Sequence, residues 1–294
     1  MVYFLSIVVN GLLAGTIYAL IALAFVVIYK SSRMINFAVG EWVMFGSLLV
    51  ATGMHVLTLG LELSIVLAGV GMIALAAAFG HLVLRRVAGR PLISIIMITL
   101  GLGALMRGVA AIIFQRVPSA ITLPLPSEPL IVQGIIVPLD KLIAACVAAV
   151  CIAIVSWFYQ ASRTGLALRA IADSQSLAMS AGIDVQRHFT LTWALAGMIA
   201  VIAGVLWTLV AGGGIGAALV GLKIFPIVII GGLDSISGTI IGAMIIGLLE
   251  SLSAGYLDPA IGGGFGTVAS SLVLIAVLLV RPQGLFGHAY AERV

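Results

Sequence analysis

Apolar runs and short polar breaks alternate along the whole chain. The runs fall at about 4–28, 35–56, 62–84, 92–115, 141–160, 189–211, 216–232, 237–256 and 264–280. A helix needs about 20 consecutive apolar residues to cross a bilayer. The pattern therefore predicts an all-α, polytopic membrane protein with about 8–9 transmembrane helices and one permease domain spanning 1–294. Two runs are interrupted: 35–56 holds Asn36, Glu41 and His55, and 216–232 holds Lys223, Pro226 and the Gly231-Gly232 pair. Irregular backbone at membrane depth requires a niche lined by protein or water, so both segments are expected to be broken or re-entrant. One polar island, 162–188, carries Arg163, Arg169, Asp173, Asp184 and Arg187, with small, apolar and polar residues at helical spacing up to Gly182. It predicts a short helix outside the lipid, offered to a soluble partner.

Composition strengthens this picture. Only 8% of the 294 residues are charged and 63% are hydrophobic, against about a quarter charged in soluble domains. The net charge of +4 does not point to nucleic acid, because Lys and Arg gather in the cytoplasmic loops of membrane proteins. With the N-terminus outside, the inner loops collect Lys30, Arg33, Arg85, Arg86, Arg90, Arg163, Arg169, Arg187, Arg281 and Arg293, ten of the 14 basic residues. Nine crossings then place the C-terminus in the cytoplasm and the island 162–188 beside it. The extracytoplasmic loop 117–140 contains Pro118, Pro124, Pro126, Pro129 and Pro138. Proline fixes the chain, so the loop is expected to be structured, either as a landing surface for an outer partner or as a connector. The N-terminus has no basic region before its apolar run and reads as the start of the first span. Cys146 and Cys151 share one apolar run and read as small core residues, with no disulfide or metal framework.

Polar side chains inside spans are costly and mark functional sites by default. Here they are Asn10, Asn36, Glu41, Arg107 and Glu250. Arg107 lies too deep to reach the surface and is expected to pair with Glu41 or Glu250. Lys223 either snorkels or marks a broken helix, and Tyr18 reads as packing. Gly11 with Gly15, and Gly238 with Gly242, are small-xxx-small pairs that permit close helix approach. No Gly-Lys dipeptide occurs, so there is no phosphate-binding loop of the G-x-x-x-x-G-K-[ST] kind. There is also no H-E-x-x-H and no Cys or His cluster. The chain is not expected to be an enzyme or to hold a cofactor; if it is powered, another subunit hydrolyses the ATP.

Several stretches carry a family likeness. They are N-G-L-L-A-G-T-I-Y-A-L-I-A-L-A at 10–24, M-I-N-F-A-V-G-E-W-V-M-F-G at 34–46 and the run from Gly165 to Gly182 with I-D following. K-I-F-P-I-V-I-I-G-G-L-D-S-I-S-G-T-I-I-G at 223–242 and the closing R-P-Q-G-L-F-G at 281–287 complete the set. In order and length the chain resembles the smaller of the two permeases of branched-chain amino acid ABC importers. The resemblance implies a second, homologous permease, two ABC ATPase subunits, a periplasmic substrate-binding protein and a place in the bacterial inner membrane. It also implies that the island is the coupling segment, with Ala172, Ser176, Leu177, Ala178 and Gly182 seated in an ATPase groove and Arg169 and Asp173 at its rim. Three positions depart from the family pattern: Val39 where His is usual, Tyr29-Lys30 where Tyr-Gly is common, and Pro226. They bear on the substrate, since relatives also move urea, short amides or aromatic acids. A solute path is expected along the broken segments, where transporter sites usually lie. Its candidate residues are Asn10, Tyr18, Asn36, Gly40, Glu41, Arg107, Gly232 and Glu250. The rival reading is an ion-coupled secondary transporter or channel with Glu41, Arg107 and Glu250 as its relay.

Overall fold

The computed structural model describes residues 1–84, 92–121, 129–132, 134–261, 263–281 and 283–287. Its helices are α1 (Val2–Ser32), α2 (Val39–His55), α3 (Leu61–Phe79), α4 (Leu92–Ile113), α5 (Leu139–Ala161), α6 (Arg163–Asp173) and α7 (Gln175–Ser180). They continue with α8 (Val185–Ala211), α9 (Val220–Gly231), α10 (Ile236–Leu252), the four-residue α11 (Asp258–Ile261) and α12 (Phe265–Val280). Single π-helical turns extend α3 and α10 at Gly80–Leu84 and Ser253–Leu257. Among the described residues, six helical stretches are long and apolar enough to cross a membrane: Val2–Ser32, Leu61–Val83, Ile93–Ile113, Leu139–Ala161, Val185–Ala211 and Ile236–Ala260. The stretches Ile215–Gly231 and Phe265–Val280 are apolar but shorter. The all-α architecture carries one small addition. Within 117–140, β1 (Leu130–Val132) and β2 (Ile135–Val137) pair antiparallel as a small hairpin, turned at Gly134, whose φ is +83°. Pro124, Pro126 and Glu128 of that loop, and Arg85, Arg86, Arg90 and Arg293 of the charge argument, lie outside the described residues.

The first helix is the centre of the molecule. Ala19 through Ile28 are each at most 1% exposed, which suits a helix that is hydrophobic all round. Around α1 pack α10, α8 and α5, while α2 and α3 pack on α8 and α9 packs on α10. Glycines set the closest seams. Gly11 and Gly15 of α1 face Ala243 and Gly247 of α10, where a Cβ added to Gly247 would fall 2.6 Å from the Gly15 nitrogen. Gly238 and Gly242, the other predicted pair, serve a different seam and meet α9 at Gly231 and Ile227. The small residues thus allow backbones to approach where no hydrophobic driving force between helices exists in lipid.

Two ends follow from this packing. At one, the hairpin lies beside the start of α1, and His55 Nε2 lies 2.7 Å from the Ala120 carbonyl oxygen. At the other, α1 ends next to the island, and Arg33 pairs with Asp234 of the α9–α10 turn at 3.8 Å. The closing segment also docks at this island end. Leu285 and Phe286 donate their amides to the carbonyls of Ile230 and Gly231, satisfying acceptors that a helix C-terminus leaves open.

The α1–α10 seam gives a direct prediction. Gly247→Val forces the two backbones apart, and overpacking of this kind costs about 1–3 kcal/mol. The variant is expected to melt several degrees below the parent in thermal denaturation of the purified protein in detergent, whereas Gly60→Ala, which meets open space, is expected to melt with it.

Candidate functional site

The island folds as two helices, where the sequence suggests one running through 165–182. Ser162 caps α6 by accepting from the Gly165 amide at 2.9 Å. The chain breaks at Ser174, whose hydroxyl accepts from the Leu177 amide at the start of α7. Side chains of this kind compete with helix interiors and favour caps. At the far end Gly182 (φ +80°) donates to Met179 and Ile183 donates to Ala178. This is the paired bond pattern of a Schellman ending, which requires a left-handed residue and so favours glycine. Arg169 holds α6 down by donating from its guanidinium to the carbonyls of Tyr159 at 3.1 Å and Gln160 at 3.2 Å. Leu177 and Met179 stand 71% and 59% exposed, while Ala178 is 3% exposed and turned into the chain. The outer surface of α7 is thus Ser176, Leu177 and Met179, with Asp173 also exposed and Ala172 half-buried.

The two interrupted segments are broken in the structure and meet at their starts. After α1, residues 33–38 run without helix before α2 begins. Their polar backbone is served locally. The Ser32 hydroxyl accepts from Met34, the Asn36 side chain accepts from Ala38, and Thr99 of α4 accepts from Phe37 and donates to Ile35. On the other side a 3₁₀ turn, Ile215–Leu219, leads into α9. With 12 residues, α9 is about 18 Å long, well short of a 30 Å hydrocarbon layer. Gly40 in the first turn of α2 lies against Gly221 in the first turn of α9; a Cβ on Gly40 would collide with the Ala218 carbonyl and fall 2.8 Å from the Gly221 nitrogen. From this contact α2 runs toward the hairpin end and α9 toward the island end.

Two ionic groups flank the contact. Glu41 follows Gly40, and its carboxylate meets Arg107 Nε at 3.3 Å, with the carboxylate side chain 10% and the arginine 51% exposed. A negative charge in a helix's first turn is also favoured by the helix dipole. Gly103 of α4 makes room, since a Cβ there would lie 3.1 Å from the Glu41 carboxyl carbon. Of the two partners left open for Arg107, the structure selects Glu41. Two positions beyond Gly221, Lys223 reaches Glu250 Oε2 at 3.0 Å and the Tyr18 hydroxyl at 3.3 Å. Tyr18 itself donates to the same Oε2 at 2.6 Å, so its role exceeds ring packing. Trp207 closes the group, 5.9 Å from the Tyr18 ring.

The remaining path candidates sit apart. Asn10 donates to the Ser6 carbonyl of its own helix at 2.9 Å. Gly232, at φ +101°, forms the turn after α9 and packs on Gly287 at the island end. Asn36 is buried and occupied by its local turn. Thr99, which stitches the irregular backbone to α4, has no marker in the sequence beyond being a hydroxyl within an apolar run. Lys223 was visible but ambiguous; its contact with Tyr18 and Glu250 joins three separate helices that no local spacing connects.

Breaking one half of the Lys223–Glu250 pair strands the other. Lys223→Met is expected to cost about 2 kcal/mol, the scale for lost bonds to a charged group. Adding Glu250→Met is expected to restore most of that loss. A double-mutant cycle on melting temperatures checks this, and additive losses contradict the coupling.

Comparison with known proteins places this arrangement. The family model described as branched-chain amino acid transport system / permease component matches residues 7–281. The chain is 33% identical to the high-affinity branched-chain amino acid transport system permease protein LivH of Salmonella typhimurium, over 99% of this chain and 98% of that one. LivH of Escherichia coli K12 stands at the same identity and coverage. The permease protein BraD of Pseudomonas aeruginosa is 29% identical over 99% of this chain and 98% of its own. With six helices of membrane-crossing length among the described residues, the chain belongs to the branched-chain amino acid transport system permease component family of multi-pass membrane proteins.

Proposed function

We propose that this chain is one of the two permease subunits of an ABC importer for branched-chain amino acids in the bacterial inner membrane. In this reading it crosses the membrane nine times, with the N-terminus outside and the island on the cytoplasmic side. Family membership along residues 7–281 is the observation that carries it. The chain contributes the solute path, a second homologous permease completes it, two ATPases dock on the island, and a periplasmic binding protein delivers solute at the hairpin end.

The geometry supports a division of labour. Leu177 and Met179 are exposed apolar side chains on a short helix rimmed by Ser176 and Asp173, as a surface seated in a partner's groove would be. Arg169 ties α6 to the end of α5, so a push on the island reaches a membrane helix directly. The path runs past the Gly40–Gly221 contact. Arg107 is half exposed at mid-helix and the Lys223 side chain is 34% exposed. Charge at that depth does not face hydrocarbon, so these two faces turn toward the path or the second permease. An amino acid carries both an ammonium and a carboxylate, and each ionic group offers one partner of each sign. Contacts of this kind stay weak and transient, since a path that held its solute tightly would not release it.

The test is a mild-detergent pull-down of the tagged chain from native membranes, paired with leucine uptake. The parent is expected to bring two ATPases and a second permease. Leu177→Glu is expected to insert normally and lose the ATPases, with uptake falling at least tenfold. Recovery of the chain alone, moving leucine in liposomes without ATP, would favour the ion-coupled rival instead. In the same assay Glu41→Gln is expected to lower uptake while leaving melting within a few degrees of the parent; unchanged uptake returns Glu41 to a purely structural role.

A further inference from the structure

At the island end α5 and α10 both lean on α1, yet among the described residues they make no extended contact with each other. A cavity of about 440 Å³ occupies the gap, lined by Lys30, Ser156, Tyr159, Arg169, Ser237 and Ile240 among others. A second, of about 330 Å³, adjoins it around Lys30, Arg33, Arg169, Asp173 and Asp234. Three cations and two carboxylates line the pair, and the carboxylate of Asp234 is already engaged by Arg33. Arg169 directs its guanidinium at the α5 carbonyls. Lys30 lies with its ammonium 5.2 Å from the Tyr159 ring centre. Among the described residues it forms no ion pair within 4.0 Å.

Two residues that line the cavity carry buried hydroxyls without an acceptor among the described residues. Tyr159 is 1% exposed, and its oxygen and that of Ser156 are buried with no hydrogen-bond partner among the described residues. A buried donor without an acceptor costs about 1–3 kcal/mol, so such groups point to a missing ligand. The cap of α10 supplies further polarity. Ser235 satisfies the Gly238 amide, Ser237 lies on the cavity wall, and the positive end of the helix dipole faces the same space. The cavity also has a direction. Lys30, Arg169 and Asp234 stand at the polar end, whereas Ser156 and Ile240 lie about one turn inside α5 and α10. Next to Ser156 and Ile240 in sequence, Trp157 and Ile241 are exposed apolar side chains, at 71% and 40%.

We propose that this crevice binds the phosphate of an anionic phospholipid, with Lys30 as the charge partner, the Tyr159 and Ser237 hydroxyls as donors, and one acyl chain lying between α5 and α10. Free phosphate shares the headgroup chemistry but has no use for the apolar extension. Arg169 lines the same cavity, so the bound lipid also contacts it and stiffens the link from island to membrane helix.

Native mass spectrometry of the purified, delipidated complex tests this, with phosphatidylglycerol or phosphatidylcholine added back in equal amounts. Phosphatidylglycerol is expected to be retained preferentially. Lys30→Gln is expected to reduce its retention about tenfold, the scale of one charge-assisted contact. Lys30→Arg is expected to keep it, and Lys141→Gln, at the far end of α5, to leave it unchanged. Where Lys30→Gln lowers the folded yield, Tyr159→Phe is expected to show a smaller loss of retention. Equal retention of the two lipids, or retention indifferent to Lys30→Gln, overturns the proposal. Complete displacement of phosphatidylglycerol by millimolar inorganic phosphate assigns the site to free phosphate and also overturns the lipid assignment.

Discussion

Backbone that leaves the helix inside an apolar bundle must find its hydrogen bonds within the chain, and the interior of this protein is organised by that requirement. Lipid offers no donor or acceptor. Residues 33–38 are therefore fastened by Ser32, Asn36 and Thr99, and the end of α9 by Leu285 and Phe286. Once those groups are satisfied, two short helices can begin within the bundle. The contact between Gly40 and Gly221 is the outcome. It lets α2 and α9 start against one another with nothing between them but backbone.

The charged residues follow from the same geometry. A break in a helix opens space beside it, and the two carboxylates next to this break each hold a cation from a neighbouring helix. Glu41 stays buried while Arg107 reaches outward. Glu250 gathers both Lys223 and the Tyr18 hydroxyl onto one oxygen, so three helices depend on one carboxylate. Removing an entire ion pair is often tolerated in proteins, whereas removing half of one is not. The chain therefore holds its interior charges as coupled sets.

Much of the architecture was legible because its causes are local. Run lengths located the helices, Pro226 and the Gly231-Gly232 pair marked the short α9, and Gly182 marked the end of the island. The hairpin at 130–137 escaped notice because two three-residue strands leave no periodic trace within a proline-rich loop. The pattern of the island suggests one helix, since the break at Ser174 depends on a hydroxyl cap that also suits a helix surface. Ala178 looked like a surface position because alanine is equally at home buried or exposed. The ionic partners were harder still: Glu41 lies 66 positions from Arg107, and Glu250 lies 232 from Tyr18. Nothing along the chain distinguishes Glu41 from Glu250 as the partner of Arg107; only packing does.

The closing segment 285–287 has a consequence for the order of synthesis. The last turn of α9 is made at Gly231, but its hydrogen-bond partners emerge about fifty-five residues later. At the ~5–20 residues per second of translation, the carbonyls of Ile230 and Gly231 wait roughly three to eleven seconds. Until then this end of the half-helix can be closed only by water at the interface or by the insertion machinery. A ribosome that stalls within α12 would leave the island end of α9 with these carbonyls still open.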